Sequence, residues 1–202
     1  MTNNAAWSFD EKARILAQCF HDRFNASSNG ATSDQEFEVA FFRKAYTVSH
    51  SGVHDPDGHM ANPAISVLLM EYLLNKGEQT PESSPWISFR ECSGAGPLMG
   101  HFHENTVKTI ERTFAGRLNS LKESGQKLGG DVLNEDVSFD LSLLFEALPG
   151  VPVLLRFNDR DDSFAATCQI LFKASSEKIL GIHSLGVIGT YLTGNLISGP
   201  FV

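Results

Sequence analysis

Apolar residues fall at every second position in EFEVAFF, through Phe37, Val39 and Phe41, which is the spacing of a strand with one buried face. KAYTVSHSGV continues as a second strand. HDPDGH behind it is turn chemistry: Pro56 presets φ, and Asp57-Gly58 suits a tight reversal. A meander of two or three antiparallel strands is expected here. The period then changes. Asn62 followed by Pro63 is an N-cap and a favoured first helical residue. Ile65, Leu68, Leu69, Tyr72 and Leu73 follow on one helical face, and Gly77 stops the helix. Upstream, Ser8 and Glu11 form a capping-box pair. Behind them Ile15, Leu16, Cys19, Phe20 and Phe24 predict an amphipathic helix over residues 9–25, and NASSNGATSD is a loop.

The polar loop EQTPESSP separates this part from PWISFREC, where Trp86, Ser88 and Arg90 alternate with Ile87, Phe89 and Glu91 as a short strand. A glycine loop follows. Beyond it Phe102, Thr106, Ile110 and Phe114 share one side of a helix that Gly116 breaks or kinks. RLNSLKESGQKLGG resumes helix and ends at Gly129-Gly130. The last third is strand-rich. VSFDLSLLF puts Val137, Phe139, Leu141, Leu143 and Phe145 on one face, and Pro149-Gly150 turns the chain into VPVLLRFN. DRDDS then turns it into FAATCQILF. Short turns make these three strands antiparallel. Strands and helices come in blocks, so the expected class is α+β: one domain over residues 1–202, with helices packed on an N-terminal meander and a C-terminal three-stranded unit.

After Lys178 nothing is charged: ILGIHSLGVIGTYLTGNLISGPFV. A helix over 184–198 is expected, capped by Ser184, with Leu185, Ile188, Leu192 and Leu196 as an apolar stripe and Gly186, Gly189 and Gly194 mostly off it. His183, Asn195 and the glycines argue for docking on protein instead of a membrane span. The formal net charge is −8, with no stripe of Lys and Arg, which excludes a general nucleic-acid or anionic-membrane role. Cys19, Cys92 and Cys168 stand far apart without a CxxC, as expected of reduced, buried thiols in the cytoplasm. MTNNAAWSFDEK lacks the basic region and apolar core of a signal peptide.

The residues WISFRE at 86–91, the glycine pair behind them, LLMEYLL at 68–74, LGGD at 128–131, PGVPVLLRF at 149–157 and FAATCQILF carry a resemblance. As a set, from about Phe37 onward, they resemble an uncharacterised domain-of-unknown-function family of anaerobic bacteria and archaea. On this reading residues 1–35 are an N-terminal helix and loop, and residues 36–202 the family-like region. The resemblance implies no activity. Some members are fused to a small four-cysteine iron–sulfur domain of the corrinoid-protein kind, which implies a redox or corrinoid/iron–sulfur partner. This chain lacks that cysteine module. It also reads Leu98-Met99 where the family tends to have an aromatic residue, so no stacking contact is carried over to that place.

Candidate chemistry centres on CSGAGPLMGHF. Gly94, Gly96 and Gly100 lie between strand and helix, as in a dinucleotide loop. Against that reading, the strand before them carries Arg90 and Glu91, no acidic residue closes a second strand about twenty residues on, and no βαβ repeat follows. The expected ligand set is Trp86, Arg90, Cys92, Gly94, Gly96 and His101, with Arg90 and His101 holding an acidic group and the helix N-terminus lowering the Cys92 pKa. Trp86 and Phe89 are expected in the sheet core, with Arg90 held by a carboxylate or carbonyls. No metal is expected. His50, His54, Asp55, Asp57 and His59 offer ligand types that suit zinc or nickel, with His54 and His59 the candidates, but turn geometry explains the segment. DRDDS reads as a charged turn. There is no nucleophile elbow, HExxH or P-loop lysine motif. Three readings stay open: an accessory or ligand-binding domain, an enzyme with a pocket at 86–103 using Arg90, Cys92 and His101, and a structural subunit whose tail docks into a partner.

Overall fold

The computed structural model describes residues 18, 36–49, 51–75, 83–134 and 138–199. The predicted helix over 9–25 apart from Gln18, its capping pair, Cys19, the loop behind it, His50, Gly77, most of the 78–85 loop and Val137 lie outside the described residues. Those described form two antiparallel sheets with helices on them, the expected α+β class. The first sheet is the predicted meander: β1 (Phe37–Phe41), β2 (Lys44–Ser49) and β3 (Gly52–His54), paired in that order. KAYTVSHSGV is therefore two strands and not one.

The second sheet has five strands in the order β4-β8-β7-β6-β5: β4 (Trp86–Ser88), β5 (Asp131–Leu133), β6 (Leu141–Leu148), β7 (Val151–Asn158) and β8 (Thr167–Lys173). The predicted three-stranded unit is its centre. The expected strand at 164–172 begins late, because Asp161 Oδ1 accepts the N–H groups of Ser163 and Phe164 and holds the turn open, leaving the Phe164 ring exposed. Period-two alternation puts Leu143, Phe145, Val153, Leu155, Phe157, Ile170 and Phe172 on one face, all buried.

Helices cover that face. They are α1 (Pro63–Asn75), α2 (Met99–Asn105), α3 (Val107–Phe114), α4 (Leu118–Lys127) and α5 (Ile182–Ser198). Asn62 caps α1 as expected, its Oδ1 accepting the Ala64 N–H at 2.9 Å. Phe102, Thr106, Ile110 and Phe114 are buried, also as expected. The helix breaks at Gly116 as expected, and once more before it, at Thr106, whose φ of −122° and ψ of −79° divide α2 from α3. Its hydroxyl bonds back to the Phe102 carbonyl at 2.6 Å, a local competitor for helix continuation. Gly116, with φ of 74°, ends α3.

The uncharged C-terminal stretch docks on the protein's own core. Leu185, Ile188, Leu192 and Leu196 are buried as the stripe predicted. Two details differ. The cap is Gly181, because Ser184 is drawn inside, where its hydroxyl donates to the buried Glu71 carboxylate of α1. Gly189 is on the packed side and not off it: a Cβ there would lie 2.3 Å from the Phe102 ring. No described helix is long and apolar enough to cross a membrane.

The first sheet is joined to this body at the β1–β2 turn. Phe42 and Arg43 both have positive φ, 46° and 66°, in a two-residue turn that ordinarily takes Asn-Gly. That conformation costs about 1 kcal/mol or more per residue. Packing offsets it. The Phe42 N–H donates to the Ala147 carbonyl at 2.9 Å, and its ring lies 5.5 Å from Tyr191 and 6.1 Å from Phe145.

Gly189 and Gly194, two of the three glycines of α5, give opposite expectations. Gly189→Ala should destabilise by about 1–3 kcal/mol through overpacking on Phe102. Gly194→Ala, where a Cβ meets nothing within 4 Å, should stabilise by up to about 1 kcal/mol through helix propensity. Urea unfolding of both variants checks the pair, and a stabilised Gly189→Ala protein would contradict this packing.

Candidate functional site

The predicted strand through WISFRE stops at Ser88, where the chain tightens into a 3₁₀ turn, Phe89–Glu91. Glu91 closes the turn. Its Oε2 accepts the Ser88 N–H at 2.8 Å and the Ser88 hydroxyl at 2.7 Å, and these bonds, the hydroxyl's first, hold the carboxyl below its ordinary value of 4.5. The turn sends Phe89 inward and Arg90 outward. Phe89 stacks on Phe102 of α2 with ring centroids 3.9 Å apart and planes 5° from parallel.

Beside this stack lies an open groove of about 590 Å³. Phe89, Phe102, Val107 and Ile170 supply its apolar lining. Arg90, Met99, His103 and Gln169 supply the remainder that matters for recognition. The described ion pairs do not include Arg90, and it is exposed, so the expectation that a carboxylate or carbonyls hold it is corrected. Trp86 is half-buried instead of in the core. The Lys173 ammonium sits 4.4 Å above its ring, and it does not line the groove.

The other expected site residues lie elsewhere. His101 is exposed, with Nδ1 3.1 Å from the Asn105 amide, while its neighbour His103 lines the groove. Cys92 is buried, its Sγ donating to the Ser88 carbonyl at 3.6 Å. Burial first, then the charges of Glu177 and Glu91, push its thiol up to about 11. The helix-terminus activation expected for this thiol is thus reversed. Gly94, at φ of 78°, makes the turn, and Gly96 opens the 3₁₀ turn Gly96–Leu98. The loop already engages an anion of its own: the Ser93 N–H donates to Glu177 Oε1 at 2.6 Å.

At the far end of the groove the edge of β8 is held by Glu111 of α3. Its Oε1 accepts the Cys168 N–H at 3.0 Å, and its Oε2 pairs with Lys108 Nζ at 2.7 Å. Burial, then the Glu111 charge, raises the Cys168 thiol far above its ordinary value. Outside the groove, ligand atoms of Asp55, Asp57 and His59 come within 4.8 Å of one another, without His54. Asp55 Oδ1 already accepts the N–H groups of Asp57 and His59, and Lys44 Nζ lies 3.6 Å from Oδ2, so turn geometry accounts for the segment. The acidic DRDDS turn is explained likewise: Asp159 Oδ1 accepts the N–H groups of Gly116 and Arg160.

Residues 14–195 match the family described as Domain of unknown function (DUF3786). The chain belongs to this family. The match begins well before Phe37 and takes in every wall of the groove. No curated protein and no solved structure matches the chain.

Of the groove residues, Met99 and His103 fall within the expected 86–103 pocket, whereas Gln169 and Ile170 fall outside it. Nothing local pairs α2 with a strand some seventy residues later.

A raised thiol pKa has a signed consequence. The neutral thiol is favoured in the folded chain, so what Cys92 contributes to stability is complete below its ordinary 9.0 and is lost as pH rises toward about 11. Alkylation of Cys92, followed by peptide mass spectrometry across pH, should show a midpoint near 11. A midpoint below 8 would return Cys92 to the list of nucleophiles.

Proposed function

We propose that this chain is a non-catalytic binding domain whose groove takes a ligand with an apolar body and an acidic group. The observation that carries this reading is the open groove beside the Phe89–Phe102 stack, with an exposed Arg90 at its rim that is in none of the described ion pairs. Apolar walls supply most of the binding free energy, and a single guanidinium orients a carboxylate or a similar group. We place the binding step in the cytoplasm, which the dispersed cysteines support, and in the service of a redox or corrinoid/iron–sulfur partner, which the family resemblance alone supports.

Two rivals fare worse on specific observations. An enzyme using Cys92 needs an accessible thiolate, and that thiol is buried with a raised pKa. A subunit working through its C-terminal tail needs an unspent apolar stripe, and the stripe of α5 is spent on the core.

Anilinonaphthalene sulfonate, an aromatic anion, tests the groove on the folded protein. One saturable site is expected. Arg90→Ala should weaken it about tenfold, the worth of one charge-assisted hydrogen bond. Val107→Trp, which fills the groove, should abolish it. Dye binding that neither substitution changes would overturn the proposal.

A further inference from the structure

We propose that the groove receives an extended strand of a partner polypeptide, with alternating apolar and acidic side chains, which adds to the edge of β8. This rests on the groove being a binding site and specifies what it binds.

The β8 edge of the larger sheet is unfinished. β4 pairs with β8 only from Trp86↔Lys173 to Ser88↔Leu171, and then the chain leaves the sheet into the 3₁₀ turn Phe89–Glu91. β8 continues for four more residues to Thr167, still paired with β7 on its other side. Two bonds establish which of its backbone groups face outward. The Ala174 N–H donates to the Pro85 carbonyl, and the Cys168 N–H donates to Glu111. Backbone direction alternates along a strand, so the N–H and C=O of Ile170 and the C=O of Cys168 face the same way. Cys168, Gln169, Ile170 and Leu171 are the residues that β8 contributes to the groove. The groove is thus the place where β4 would lie had it continued.

Glu111 sets the limit of that edge. By accepting the Cys168 N–H it blocks further pairing beyond Ile170, as an inward-pointing charge protects a strand edge from indiscriminate pairing. What is left open is short and defined, and suits a docked segment of a few residues. Side chains of an added strand alternate between faces. Those on one face meet Phe89, Phe102 and Val107. Arg90, exposed and in none of the described ion pairs, calls for an acidic residue on the segment; the Glu91 carboxylate beside it feels its charge, but its hydrogen bonds go to Ser88. Main-chain bonds give such a complex its affinity, and the alternate side-chain contacts its selectivity.

The test uses the full chain and the peptide acetyl-Val-Glu-Val-Glu-Val-amide beside its fully N-methylated analogue, which keeps every side chain and donates no N–H. The parent peptide should bind, the methylated one at least about tenfold more weakly, and Arg90→Ala should cost about tenfold. Hydrogen exchange at the Ile170 amide should slow when the parent peptide is added. Equal binding of both peptides, or binding of anilinonaphthalene sulfonate but of neither peptide, would overturn strand addition and leave the groove as a small-molecule site. If the dye also fails to bind, the groove is no binding site, and both readings fall.

Discussion

The flat contact of Phe102 against Phe89 is the constraint on which this part of the molecule depends. Three segments meet at that ring: the 3₁₀ turn behind β4, the helix after the glycine loop, and, from much later in the chain, α5 at Gly189. The ring also lies 6.4 Å from Phe172 on β8, which ties the helices to the sheet. Loss of a buried Phe side chain typically costs about 3–5 kcal/mol. Here it would remove the groove's floor as well.

The surroundings of the stack explain why the groove stays open. Glu91 bends the chain away from β8 by capping Ser88, and Glu111 ends the pairing edge from the other direction. Between these two carboxylates β8 is left without a neighbouring strand. The glycine loop does not bind phosphate in this scheme. Its turn at Gly94 delivers α2 to the stack, and Glu177 of the 3₁₀ turn Ala174–Lys178 occupies the anion position at Ser93.

Much of the fold was legible because the period of the apolar residues is local information. The meander, α1, the buried face of Phe102, Thr106, Ile110 and Phe114, the three long strands and the stripe of α5 all follow from it. What was not legible depends on tertiary partners. Phe-Arg carries no turn signal, and only the packing of Phe42 on Phe145 and Tyr191 makes the left-handed turn stable. Ser184 resembles a cap until Glu71 is placed beside it. The neighbourhood of the candidate site was found from WISFRE and its glycines, but its membership was not. Arg90 lies on the groove, while Trp86, Cys92, Gly94, Gly96 and His101 do not line it. The opposite wall comes from β8, and no local pattern announces that β4 stops short of it.

A double-mutant cycle at Phe102 and Gly189 shows whether the Phe102 ring is what holds the groove's floor in place. Gly189→Ala is compared in the native protein and in a Phe102→Ala background by urea unfolding. If the ring fills the space above Gly189, the cost of the added methyl should disappear in the Phe102→Ala background, giving a coupling of about 1–3 kcal/mol. An identical cost in both backgrounds would show that Phe102 is not what Gly189 makes room for, and the account of the groove's floor would fail.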